Sequence, residues 1–455
     1  MNFLKIENPS EFIKKLLFYF FIYMILEGIL RKWIFPNFNV QIYFIKDFFL
    51  LIIYALAIKY NFLFKSKFSI YATIFVTLIS LYGLIGYSFN SLESIIYYSL
   101  GVRSYWLYFP LFLVVIHIIT LEDVIKFLRF NFFCIIPYFV LIYFQSIMPD
   151  TSIINSGRNQ LVFNPERPSG YFTFTTQNTF YFIFLSICVN FYVLNLNRVS
   201  LKKICYIFII NFLLLSILIL LKSRAVYIFL FGSLIYSFIF LLFSNEIKNL
   251  KIIKLSFFVI VIPVTFFICS KIYTTQFDFS VKRINTDTYH ELSLVKNLGE
   301  NKIFKTDLTI REFCKKQSSI CRIVNEIYFF SQIPKASISG KGIGSGTSAV
   351  SAVKKEANFA LGEAENHRII HELGTLVGPF YVIFKYVFVL LMSILFIFKH
   401  KYKKQFSPLL LFVSVQMVIG SVTFSVSFIS FIFWVCFAIM LASFTFKEKH
   451  GVASQ

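Results

Sequence analysis

The residues best suited to chemistry are cations set where an apolar chain should carry none. Arg31 and Lys32 follow the first apolar run, Arg103 lies in the fourth, Arg158 and Arg167 follow the fifth, and Lys222 and Arg224 follow the seventh. A charge in or beside lipid costs about 2.5–3.5 kcal/mol on insertion scales, so those that persist usually face a cavity, a partner or a substrate. Any one of them can snorkel to headgroups. As a set at the ends of separate runs, they ask for an anionic ligand. Guanidinium makes bidentate contacts to phosphate. Arg167 stands in Glu166-Arg167-Pro168-Ser169-Gly170, where Pro and Gly set a turn and thereby a direction for its fork. Arg224, in Lys222-Ser223-Arg224, follows an unbroken apolar run, which brings it to the height of lipid-linked phosphates.

A second cluster comprises Glu363, Glu365, Asn366, His367, Arg368, His371, Glu372 and Gly374. Spacings of four and seven put His367 with His371, and Glu365 with Glu372, on one helix face. Glu365 and His367 are both candidates for a general base toward a hydroxyl. Arg368, His371 and Glu372 are candidates for substrate contact. His367 and Glu365 are expected where a polar loop meets a helix, with His371 and Glu372 one turn deeper. His-x-x-x-His is also a zinc spacing, but the Glu of a protease helix and a third ligand are missing. A solvated helix cap is the bland alternative. Gly340, Gly342, Gly344 and Gly346 do not match the P-loop pattern; they make either a flexible connection or a backbone nest for an anionic group. Glu27 is expected to pair with Arg31, and Lys46 with Asp47, as structural neutralisation.

Of the 455 residues, 58% are hydrophobic and 15% charged, with mean hydropathy +0.74. Soluble domains carry about 25% charged residues, so a soluble globular class is excluded. The expectation is an all-α polytopic integral membrane protein of about 12 transmembrane helices, the apolar runs being about 20 residues each. Its 62 Phe and 26 Tyr suit lipid-facing surfaces and interfacial belts. Lys and Arg number 44 against 22 Asp and Glu, for a net charge of +22. That excess concentrates in short breaks between runs, as cytoplasmic loops require, and no basic-aromatic stripe or nucleic-acid motif accompanies it.

Alternation from Lys5, Lys14 and Lys15 puts both termini in the cytoplasm. Residues 1–270 then hold helices one to nine, 271–366 form one large periplasmic loop, and 367–455 hold helices ten to twelve. The first run has bulky residues where a cleavage site would lie and contains Glu27, so it reads as a retained helix. Of seven cysteines, Cys314 and Cys321 share the polar loop and could pair if it faces an oxidising compartment, though not from one helix; no zinc spacing exists.

The order of these elements resembles the O-antigen polymerase and O-antigen ligase superfamily, membrane glycosyltransferases of GT-C type. Four segments carry the likeness: Glu27-Gly28-Ile29-Leu30-Arg31-Lys32-Trp33; Arg167-Pro168-Ser169-Gly170; Ser223-Arg224; and Gly342-Ile343-Gly344 followed by Glu365-Asn366-His367 and Glu372-Leu373-Gly374. Roughly Tyr143 to Phe384 is covered. The resemblance implies metal-independent inverting transfer, without a cofactor, from an undecaprenyl-diphosphate-linked oligosaccharide in the bacterial inner membrane. Arg167 and Arg224 would be the diphosphate clamp, and chain-length regulator and flippase proteins the partners. Ligases commonly show His-Asn at the loop end, and Glu365-Asn366-His367 breaks that order, which favours a polymerase. A ligase and, from another class, a flippase for the same lipid-linked sugars are the alternatives.

Overall fold

A computed structural model describes residues 7–87, 92–149, 151–155, 167–173, 175–194, 200–242, 248–278, 281, 329–347, 350, 365–399, 407–419 and 427–443. Every regular element among them is helical: α1 (Pro9–Ile29, continued by a π turn, Leu30–Ile34), α2 (Asn39–Lys59), α3 (Lys67–Ile85), α4 (Leu92–Trp106), α5 (Phe109–Ile118), α6 (Leu121–Ile147), α7 (Thr175–Leu194), α8 (Leu201–Leu220), α9 (Arg224–Leu242), α10 (Lys248–Ser256), α11 (Ile262–Ile272), α12 (Glu365–Lys399), α13 (Ser407–Ile419) and α14 (Ser427–Ala442). Eight helices among the described residues are long and apolar enough to cross a membrane; α1, α9, α13 and α14 are apolar but outside that set. The chain is a membrane protein, all-helical among the described residues.

The basic breaks also start helices. Ser66 caps α3, Ser200 caps α8, and Thr120 with Asp123 forms a capping box on α6, each side chain accepting from an otherwise orphaned backbone N–H. The cap at Thr120 starts α6 earlier than the apolar run suggests, so Lys126 and Arg129 lie within the helix rather than in a loop. The expected fourth helix is divided as well: α4 ends at Trp106 and α5 starts at Phe109.

Helices α5, α7 and α14 form the centre. Phe112 of α5 stacks on Phe437 of α14 with ring centroids 4.6 Å apart, and Phe20 of α1 packs edge-on to Phe431 at 5.1 Å. The outward faces of α2 and α3 leave Phe48, Leu51, Tyr71 and Leu78 exposed, as a lipid-facing surface requires.

Several polar ties join elements at the two ends of the bundle. At one end Lys14 pairs with Asp123 at 2.8 Å, Ser69 Oγ lies 3.2 Å from His117 Nε2, and Lys254 Nζ donates to the Leu194 carbonyl at the end of α7 at 2.7 Å. At the other end Trp33 Nε1 donates to the Ile153 carbonyl at 2.9 Å, and the Ile343 N–H donates to the Gly83 carbonyl at 3.2 Å.

Candidate functional site

The first cluster gathers where α1, α2 and α4 meet. Glu27 accepts from Arg31 Nη1 at 2.8 Å, the expected pairing one turn apart, and from Lys46 Nζ at 3.1 Å. Asp47 takes both Nε and Nη2 of Arg103, at 2.6 and 2.9 Å. The expected Lys46–Asp47 pairing is therefore corrected. Neighbours in a helix point about 100° apart, so each turns to a different helix, Lys46 inward to α1 and Asp47 to α4. Tyr43 lies among three cations, with Lys46 Nζ 3.3 Å from its ring centroid and the Arg31 and Arg103 guanidinium carbons each at 5.1 Å.

The next residue along joins this cluster to the turn at Arg167. Lys32 Nζ donates to the Gly170 carbonyl at 2.6 Å and to Ser169 Oγ at 3.2 Å. The turn is held from other sides too. Gln145 Oε1 accepts from the Gly170 N–H at 2.8 Å, and Asn178 Nδ2 donates to the Pro168 carbonyl at 2.9 Å. Gly28 lets α1 approach, since a Cβ there would stand 2.0 Å from the Tyr171 carbonyl oxygen. Lys32 lies beyond the end of α1, and burial pushes its ammonium down to about 7.

The second cluster has a different geometry from a helix entered at Glu365. Gly374 has φ 75° and ψ −177°, which breaks α12. A straight helix would hold Glu365 and Lys385 about 30 Å apart at 1.5 Å per residue, yet Lys385 Nζ lies 3.3 Å from Glu365 Oε1. The two legs of α12 therefore fold back on one another as a hairpin. Gly378 permits their contact, a Cβ there meeting Ile370 Cα at 2.7 Å. Asn366 accepts from Lys385 Nζ at 3.1 Å and donates to Tyr386 Oη at 3.0 Å.

The order along the hairpin is the reverse of that expected along a single helix. Glu372 lies beside the break at the tip, whereas Glu365 sits about 10 Å further along the first leg, beside Lys385.

At the tip, the glycine-rich segment does form a nest, and the protein's own carboxylate fills it. Glu372 Oε2 accepts from the Gly344 N–H at 3.0 Å and Oε1 from the Gly346 N–H at 2.8 Å, while Tyr105 of α4 donates to Oε2. The His371 and Glu372 carbonyls accept from the N–H groups of Lys341 and Gly342 at 2.8 and 3.0 Å. His371 Nε2 lies 3.4 Å from Gln332 Oε1. Arg368 lies with its guanidinium carbon 5.8 Å from the Tyr105 ring centroid.

Lys222 closes α8 with φ 50°, the left-handed conformation usual after a helix end. Arg224 is the first residue of α9, and its side chain lies outside the described residues, as do Arg158, Glu363, Cys314 and Cys321 in full. Arg167 opens its turn half-buried. Among the described residues no three His, Cys, Asp or Glu side chains converge as a metal site would need. Sequence reasoning passed over Lys385 and Tyr105. Lys385 had a signal, as a lone cation inside the apolar run that follows Pro379; a buried tyrosine in a chain with 26 has none.

No protein-family model, curated protein or solved structure matches the chain.

Proposed function

We propose that the chain is a polysaccharide polymerase of the bacterial inner membrane, with twelve spans, both termini in the cytoplasm and the 271–366 loop in the periplasm. It joins undecaprenyl-diphosphate-linked repeat units by inverting transfer. The acceptor hydroxyl gives its proton to Glu365 or His367 as its oxygen bonds to the anomeric carbon, and the bond from that carbon to the lipid diphosphate breaks. Arg167 and Arg224 receive the departing diphosphate.

The observation that carries this reading is the bond from Lys32 to Gly170 at 2.6 Å, which ties the Glu27–Trp33 segment to the turn bearing Arg167. Two cationic segments 138 positions apart thereby meet at one end of the bundle. The α7–α8 connection spans only residues 195–200, and α7 packs against both α8 and α9. A return so short brings the start of α9, and so Arg224, toward the end where the turn at Arg167 precedes α7.

The test is polymer formation from lipid-diphosphate-linked repeat units by the purified protein. Arg167→Lys and Arg224→Lys each abolish it while the protein still inserts, because a point charge cannot replace a fork at a diphosphate. Lys251→Ala has no effect. Normal polymer length in both arginine variants removes the clamp.

One observation favours a second reading, a flippase for the same lipids: the broken helix α12 buries Glu365 and Lys385 between its legs, and discontinuous helices often line transport sites. Transbilayer movement of a fluorescent lipid-linked oligosaccharide in proteoliposomes, with no glycosidic bond formed, supports that reading and excludes the polymerase.

A further inference from the structure

We propose that Arg368 is a second anion seat, whose Nε–Nη2 edge holds the paired oxygens of a phosphate or carboxylate group on the ligand. Arg368 is 8% exposed, and among the described residues neither Nε nor Nη2 has a hydrogen-bond partner. These two nitrogens form one side of the guanidinium fork, the geometry that takes an oxyanion bidentately. Leaving buried charged donors unmade is costly, so a site that keeps them open is a site for a ligand.

The obvious internal partner is already committed elsewhere. Glu372 stands one turn on, with Oε1 3.6 Å from Arg368 Nε, beyond hydrogen-bonding distance. Its oxygens are taken by the Gly344 and Gly346 N–H groups and by Tyr105. Glu365, on the same leg, is held by Lys385. The carboxylates thus lower the cost of burying Arg368 without occupying its fork. Tyr105 beneath the guanidinium and the first leg of α12 set the direction of the opening. The inference stands on this geometry; only the identity of the oxyanion as part of a lipid-linked saccharide rests on the polymerase reading. A diphosphate and the carboxylate of an acidic sugar share the required chemistry.

The experiment uses the full-length protein in lipid nanodiscs and measures equilibrium binding of labelled inorganic diphosphate and, separately, of glucuronate. We expect one of the two to bind, naming the source of the oxyanion. In a background carrying Arg167→Lys and Arg224→Lys, which silences the clamp, Arg368→Lys weakens this binding about tenfold or more, and Arg368→Gln abolishes it. In the wild type, the bound oxyanion protects Arg368 from phenylglyoxal, read by mass spectrometry, and this measurement decides alone if both variants misfold. Undiminished binding by Arg368→Lys, or no binding and no protection with either probe, overturns the proposal. Protection in a protein that transfers no sugar upholds the seat and ends the polymerase reading. Transfer by a protein whose Arg368 is never protected does the reverse.

Discussion

The Lys385 ammonium lies 3.3 Å from the Glu365 carboxylate, twenty positions earlier in the chain, and both are buried. That contact converts one long apolar helix into two opposed legs. It also moves the candidate base from the mouth of a loop to the interior of the hairpin.

Removing one partner of a buried ion pair leaves an uncompensated charge. Lys385→Met lowers stability by about 3–5 kcal/mol, and Glu365→Gln/Lys385→Met recovers much of the loss. Unfolding in mixed micelles measures both, and equal stability of the single and double variants argues against the hairpin.

The corrected pairing in α2 is open to a double-mutant cycle. Glu27→Gln with Lys46→Met gives a coupling energy above about 1 kcal/mol, whereas Asp47→Asn with Lys46→Met gives under about 0.5 kcal/mol. The opposite order restores the pairing first read from adjacency.

Gly344 has φ 78°, and a Cβ there would stand 2.0 Å from Gly101 Cα in α4. Gly344→Ala therefore costs about 2 kcal/mol or more through strain and displacement of the Glu372 nest. Limited proteolysis should cut the 337–347 segment faster in the variant, with the rest of the protein still resistant.

Lys32 gives a pH signature with a definite sign. The unfolded chain keeps the Lys32 proton up to about 10.5, whereas the folded protein releases it above about 7. Unfolding takes up a proton between these values, so stability rises with pH there. Against Lys32→Gln, the wild type gains about 2 kcal/mol from pH 7 to pH 9. A pH-independent difference shows that Lys32 keeps its charge in the fold.

Reporter fusions address the orientation. Fusions after Lys67, Lys203, Lys254 and Lys404 read cytoplasmic, and fusions near Arg158 and Lys305 read periplasmic. A cytoplasmic signal at Lys305 separates the loop from periplasmic substrates and ends the polymerase reading.

What could be read from the chain is what local spacing controls. Apolar runs bounded by cations place α2, α3, α7 and α8 to within a few residues, and Glu27 finds Arg31 one turn away as helical geometry requires. The break at Gly374 escaped because helical periodicity continues on both sides of it; the requirement for a positive φ comes from the close approach of Gly340 and Ile338, remote in sequence. Lys46 escaped for the same kind of reason. Its partner is nineteen positions away on another helix, and a nearer carboxylate at Asp47 offered a simpler answer.

The hairpin also imposes an order on biogenesis. The segment that begins at Glu365 carries Glu365, Arg368 and Glu372, and alone in lipid each would add to the cost of insertion. The contact of Glu365 with Lys385 forms only when Lys385 has been synthesised, whereas Tyr105, 267 positions before Glu372, has long been in place. The first leg of α12 therefore completes its contacts only after the leg that follows it has been made. A chain arrested before Lys385 emerges would hold most of its helices and still lack this hairpin.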